Sequence, residues 1–308
     1  MAKKIGIALG SGSARGWSHI GVIRSLQEAG IGVDVACGAS IGALVSGCFA
    51  ADFLDPLDRW VRRLSWSDIL GFMDVMIPRS GLIEGDRITG YFRQNMADPE
   101  IATLPIPFAA VAADLMTGGE VWLRDGSLMD AIRASISLPG IFTPCPRNGQ
   151  WLVDGGLVNP VPVSLCRSMG ADVVVAVNLN SDIMGKARAG RMEEPGDRGR
   201  SGENGKATGK WASFLNQRAQ QATPLLFKHL FQEQPDRGPS IFDVMTASVK
   251  IMQDRITRER LATDPPDILI QPKLAHIGLM EFNRAGEAID EGRRSMDLML
   301  PMLRDLLD

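Results

Sequence analysis

"ACGASIGAL", residues 36–44, sets Ser40 between two glycines, each two positions away. The residues before it, Val33, Val35 and Ala36, read as a strand, and those after it, Ile41, Ala43, Leu44 and Val45, as a helix. A G-x-S-x-G pattern gains meaning in that context, because a sharp strand-to-helix turn lifts a serine hydroxyl above a sheet. Gly38 and Gly42 then serve a turn so tight that a Cβ at either position would meet neighbouring backbone. A turn that merely needed small residues would use the same pattern, and the flanking strand and helix favour display.

The same order of elements occurs upstream. Lys4 to Leu9 reads as a strand, Gly10 to Gly16 as a turn, and the chain to about Ala29 as a helix; Val33 to Ala36, Cys37 to Gly42 and a helix to about Phe53 follow. Such alternation predicts an α/β fold of parallel strands with helical crossovers. Further strands are expected at Phe108 to Ala113, Glu120 to Leu123, Trp151 to Val153, Val173 to Asn178 and Ile268 to Gln271. The valine-rich "DVVVAVNL" suits a central strand buried on both faces. Helical spacing recurs at about 211–232, 242–261 and 284–307. In the second of these, Phe242, Met245, Val249, Met252 and Ile256 recur at helical spacing, and the methionines are expected to pack against the sheet.

The first turn, "LGSGSARGWSHIG", Leu9 to Gly21, offers backbone N–H groups at a helix start, where an anion or a developing negative charge is held. It is no dinucleotide fingerprint, since Arg15 stands where the third glycine of G-x-G-x-x-G belongs. The nucleotide-hydrolase phosphate loop is missing too, because Trp17 follows Gly16. A third glycine-marked turn, Val153-Asp154-Gly155-Gly156, follows an apolar strand. Asp-Gly-Gly is also ordinary turn chemistry.

A serine hydroxyl needs a neighbour to accept its proton. The chain has three histidines, His19, His229 and His276, none of them in a glycine-marked turn, and a structural role suits each. The order Ser, acid, His could still be met by Ser40, Asp154 and His276.

Composition narrows the rest. With 308 residues and 45% hydrophobic content the chain can bury a large core. Its 33 basic and 36 acidic residues are mixed along the chain for a net charge of -3, which gives no field suited to nucleic acid. The N-terminal "MAKKIGIALG" suits a first strand better than a signal peptide, and no apolar run approaches a membrane span. Cys37, Cys48, Cys145 and Cys166 lack metal or redox spacing, which points to reduced core thiols of a cytoplasmic protein. Residues 182–210, rich in glycine and in charges of both signs, read as a disordered insertion in a single domain spanning 1–308. Leu64 to Ile83 is too apolar for one helix face. It fits burial against the sheet or a second subunit, or an interfacial flap that gives peripheral contact with the inner membrane surface.

Taken jointly and in order, "GSGSARGWSHIG", "GASIG" and "DGG" resemble the patatin-like phospholipases, in particular their bacterial branch related to neuropathy target esterase. "RASISLPGIFTP" (133–144), "DPPDILIQP" (264–272) and "IGLMEF" (277–282) extend the likeness over most of the chain. The resemblance implies a three-layer α/β/α fold around a mainly parallel sheet. It also implies a Ser-Asp dyad in place of a triad, with Ser40 as nucleophile and Asp154 as the group that takes its proton and returns it to the leaving alcohol. The loop of Gly10, Gly12, Ser13, Arg15 and Gly16 would supply the oxyanion hole, although Ser11 and Ser13 interrupt what is usually a longer glycine run. Implied with these are a lipid or lysophospholipid ester as substrate, and neither cofactor nor metal. An acyltransferase or thioesterase using the same serine, or a regulatory protein that keeps the fold without turnover, fits the same residues.

Overall fold

Eight strands form one sheet in the computed structural model, which describes residues 3–72, 86–96, 98–181 and 241–308. Five run parallel: β1 (Ile5–Leu9), β2 (Val35–Ala39), β3 (Phe108–Asp114), β7 (Val173–Val177) and β8 (Ile268–Ile270). Three are antiparallel: β4 (Glu120–Leu123), β5 (Cys145–Arg147) and β6 (Gln150–Asp154). The order across the sheet is β5-β6-β3-β2-β1-β7-β8, with β4 paired to β3. The expected second strand starts two residues later and ends three later, at Val35–Ala39, because pairing with β1 and β3 draws Cys37, Gly38 and Ala39 into the ladder. Nothing in the sequence reading anticipated β5, whose middle residue is a proline. Among the described residues it pairs with β6 alone, and an edge is where a strand tolerates a missing N–H.

The helices are α1 (Ser18–Glu28), α2 (Ile41–Ala50), α3 (Leu54–Val61), α4 (Trp66–Phe72), α5 (Asp86–Met96), α6 (Leu128–Ser135), α7 (Val163–Ser168), α8 (Ile241–Thr263), α9 (Ala285–Asp297) and α10 (Leu300–Leu307). Successive strand residues face opposite sides. Ile7 and Leu9 of β1 accordingly join one apolar cluster, with residues of α1, α2, α6 and α9. Ala8 joins a second cluster, with Val163, Leu165 and Cys166 of α7 and, partly buried, Leu261 of α8. Two clusters on two faces make the three layers. All ten residues of α2 are buried, as an apolar-all-round helix requires. The small side chains of "VACGA" in β2 and "FAAVAAD" in β3 leave room for it.

Two expectations are corrected. The helix expected over 284–307 is two helices, α9 and α10, broken at Leu298 and Met299, because Pro301 has no N–H to give and sits in the first turn of the second. Met252 does not pack as expected: it is 49% exposed, and the neighbouring buried positions Gln253, Asp254 and Thr257 are polar; Met245 is 44% exposed. The apolar spacing fits a helix, but it does not mark the buried face.

The chain divides into two compact units, residues 1–186 with 252–308, and residues 187–251. The insertion expected at 182–210 and the helix expected at 211–232 lie outside the described residues.

Candidate active site

β3 acts as a ruler for the site. Val111 pairs with Trp122 of β4 as well as with Ala39 of β2, and Ala112 pairs with Val121 of β4 as well as with Asp154 of β6. Thus β4 fills one edge of β3, while β2 and β6 share the other, running toward each other and stopping one rung apart. Ser40 follows the last residue of β2, and Asp154 is the last residue of β6. A parallel strand and an antiparallel strand meeting end to end therefore bring together residues 114 positions apart in sequence. The Ser40 hydroxyl donates to Asp154 Oδ2 at 2.6 Å.

Ser40 sits at φ 57° and ψ −126°, a conformation that costs a non-glycine residue on the order of 1–3 kcal/mol. The surroundings hold it there. Its N–H donates to Ser135 Oγ at 2.9 Å, and the Ser135 hydroxyl donates to the Val111 carbonyl at 2.6 Å. Ser127 caps α6, its Oγ accepting from the Asp130 N–H, and the helix ends by delivering Ser135 to the turn. In the sequence, "RASISLPGIFTP" carries a family likeness and no sign of this role. On the other side, a Cβ at Gly42 would run into the Leu9 carbonyl, and one at Gly38 into the Gly42 backbone. Ser135→Ala strips both the Ser40 N–H and the Val111 carbonyl of a partner. We expect a loss of about 2 kcal/mol of stability, read as a lowered midpoint in urea.

The Asp154 carboxylate is 1% exposed. Its Oδ1 accepts from the Gly156 N–H at 2.7 Å, and its own N–H donates to the Ser137 carbonyl at 3.0 Å. Gly155 lies against the Val111 carbonyl, where a Cβ has no room. Burial raises the Asp154 carboxyl to about 6, against the opposing pull of the hydrogen bonds from Ser40 and Gly156. The group is ionised at neutral pH and stands two units nearer to it than an exposed aspartate, so it is a stronger base.

The glycine loop leads from β1 into a 3₁₀ turn, Ser13–Trp17. Its amides divide into two sets. Gly10 N–H donates to Val177 O and Ser11 N–H to Pro160 O, while Gly12 and Ser13 N–H have no acceptor among the described residues. Arg15, 2% exposed, donates through Nε to the Gly12 carbonyl at 3.2 Å and through Nη1 to the Leu179 carbonyl at 2.8 Å. In a trans peptide C=O and N–H point in opposite directions, so the bond to Gly12 O turns the Ser13 N–H away from Arg15. Burial lowers the guanidinium to about 10, which leaves it charged at neutral pH, and no carboxylate pairs with it among the described residues. A buried positive charge therefore stands behind a peptide whose amide has no acceptor among the described residues. Gly16 is pressed against Ile41, the first residue of α2. The Ser13 hydroxyl and the Ala14 N–H both donate to the Leu279 carbonyl, and Trp17 Nε1 donates to the Phe282 carbonyl, so "IGLMEF" tethers this loop.

The two described histidines have partners other than Ser40. His19 Nε2–H donates to the Gly10 carbonyl at 2.8 Å, and burial lowers its ring to about 4, which keeps it neutral. It braces the loop from behind. His276, exposed, is hydrogen-bonded to Glu287 Oε1 at 2.6 Å, and the Ser40 hydroxyl goes directly to Asp154. His229 lies outside the described residues. All four cysteines are free, and Cys37, Cys48 and Cys166 are buried. Among the described residues no cluster of His, Cys, Asp and Glu could hold a metal ion, and no helix is long and apolar enough to cross a membrane. Of the apolar segment Leu64 to Ile83, Leu64 and Ile69 are buried and Trp66 is 36% exposed; residues 73–83 lie outside the described residues.

The family model described as patatin-like phospholipase matches residues 7–167, a span that holds Ser40, Asp154 and the glycine loop. An uncharacterized NTE family protein of Mycobacterium tuberculosis is 33% identical over 94% of this chain and 89% of its own length. Human patatin-like phospholipase domain-containing protein 6 is 33% identical over 58% of this chain and 13% of its own. The crystal structure of VipD from Legionella pneumophila aligns over 98% of this chain and 67% of that one, with a TM-score of 0.47 and 13% identity. By the span of the family match and the identity with its relatives, the chain belongs to the patatin-like phospholipase family.

Proposed function

We propose that the protein is a serine hydrolase that cleaves carboxylic esters of lipids or lysophospholipids through an acyl-serine intermediate, with Ser40 and Asp154 as its dyad. The observation that carries this reading is the 2.6 Å hydrogen bond from a strained, elbow-mounted Ser40 hydroxyl to a buried carboxylate. Asp154 accepts the Ser40 proton as the oxygen attacks the ester carbonyl. The tetrahedral oxyanion is met by the Gly12 and Ser13 amides, with the Arg15 charge behind them and the start of α2 beside Ser40. Collapse of this intermediate expels the alcohol, which takes the proton from Asp154, and water then reverses the sequence to free the acid. The lipid substrate class rests on family membership, and the relatives named for phospholipase activity support it.

Labelling with a fluorophosphonate and mapping the adduct tests the reading. Modification of Ser40 supports it, and an unmodified protein or an adduct on another residue sinks it. The pH dependence is a second check. Asp154 works only when ionised, so kcat/KM should be flat above a midpoint near pH 6 and fall about tenfold per unit below it. A limb near pH 4, the range of an exposed carboxylate, would contradict the burial argument.

A further inference from the structure

β3 and β6 continue past the rung that carries Asp154. From the Ala112–Asp154 pair the ladder runs through Ala113–Val153 and Asp114–Leu152, and the Leu115 N–H donating to the Trp151 carbonyl at 2.8 Å adds another rung. At about 3.3 Å per residue, Leu115 stands roughly 10 Å beyond the level of Asp154. It does so on the carboxyl edge of the parallel strands, the edge at which open α/β sheets bind their ligands.

The turn at this tip is firmly built. The Asp114 carboxylate accepts from the Met116 N–H at 2.8 Å, the Thr117 N–H at 3.2 Å and Gln150 Nε2 at 2.7 Å. The Asp114 backbone closes the turn through Gly119 O and the Gly118 N–H. A well-ordered turn therefore holds apolar side chains out in water: Leu115 is 50% exposed, Met116 77% and Trp151 50%. The tip, Leu115 to Gly119, has no charged side chain.

We infer that Leu115, Met116 and Trp151 form the surface through which the protein seats on a lipid aggregate, so that an acyl chain passes from lipid to Ser40 with little exposure to water. This inference rests on the lipid-esterase reading above. The occupant is the surface of a zwitterionic bilayer or micelle rather than a protein. Three side chains fall far short of the roughly 800 Å² per partner of a stable protein interface. A lipid interface, by contrast, rewards each inserted side chain separately, and tryptophan favours that depth. With no cation at the tip, attraction to anionic head groups is not what holds it there.

Flotation with phosphatidylcholine vesicles tests this surface, comparing the wild-type protein with Leu115→Ser/Met116→Ser and with Met116→Asp. We expect the variants to partition at least about tenfold less, with an unchanged melting temperature and unchanged hydrolysis of a dissolved short-chain ester. Equal binding by wild type and variants, or no binding by the wild type, overturns the inference. So does a change of oligomeric state without a change in vesicle binding, which would give the face to a second copy of the chain. Vesicle binding decides the surface and hydrolysis decides the lipid-esterase reading. A wild-type protein that floats with vesicles while the variants do not, yet cleaves no ester, keeps the first and loses the second.

Discussion

Asp154→Asn is expected to abolish turnover and, above pH 6, to stabilise the fold. The two effects share one cause. Asparagine keeps the volume and the acceptor for the Gly156 N–H, but it cannot take a proton from Ser40, so kcat should fall on the order of 10³-fold or more. The stability effect follows from the direction of the shift. The folded carboxyl titrates near 6 and the unfolded one near 3.8, so the folded state binds the proton more tightly. Stability from this group is intact below about pH 4 and is lost as pH rises through 6, by about 3 kcal/mol once the carboxylate is fully charged. Asparagine carries no charge to bury, so the melting advantage of the variant should open between pH 4 and 6 and be complete at pH 7.5. A variant that melts below the wild type at pH 7.5, or that still turns over, would show that Asp154 is not a buried catalytic base. Ser40→Ala should be equally inactive, and His276→Ala, which alters only a surface pair with Glu287, should keep the wild-type rate. On the proposed mechanism, so costly a carboxylate trades stability for function.

What could be read in advance, and what could not, follows from the range of the interactions. Ser40, Asp154 and the glycine loop each lie in a turn whose local geometry demands small residues, so they left marks on short stretches of sequence. Whether Ser40 is served by Asp154 directly or through His276 was open, because an acceptor is defined by strand register. Only the sharing of one β3 edge by β2 and β6 brings Asp154 to Ser40. Ser135 was invisible for the same reason: its hydroxyl links the Ser40 N–H to Val111, positions 95 and 24 residues away. The anchors of the loop, Leu279 and Phe282, act through backbone carbonyls, which a side-chain pattern does not report. In α8 the apolar period gave the helix but the wrong buried face, since Gln253, Asp254 and Thr257 are covered and Met252 is exposed.

Gly12→Ala tests the other half of the proposed chemistry, and it is expected to lower kcat on the order of 10²-fold while KM changes little. A Cβ at this position would lie 2.6 Å from Leu179 Cδ1 and 2.8 Å from Leu179 Cβ. Leu179 cannot yield: it is 2% exposed, and its carbonyl is held by Arg15. The loop must yield instead, and the same Arg15 that holds Leu179 also holds the Gly12 carbonyl, so the displaced peptide is the one whose N–H belongs to Ser13. An oxyanion donor works only at about 2.7–3.1 Å from the oxygen it stabilises, and a shift of a few tenths of an ångström spoils that bond in the transition state before it affects binding of the neutral ester. Single-turnover acylation, followed as release of a chromogenic alcohol, reads the effect directly, and fluorophosphonate labelling should slow in parallel because it passes through the same anionic geometry. A folded Gly12→Ala protein with the wild-type acylation rate would take the loop out of the mechanism. The start of α2 would then be left to hold the oxyanion, and the buried charge of Arg15 would be a brace for the fold alone.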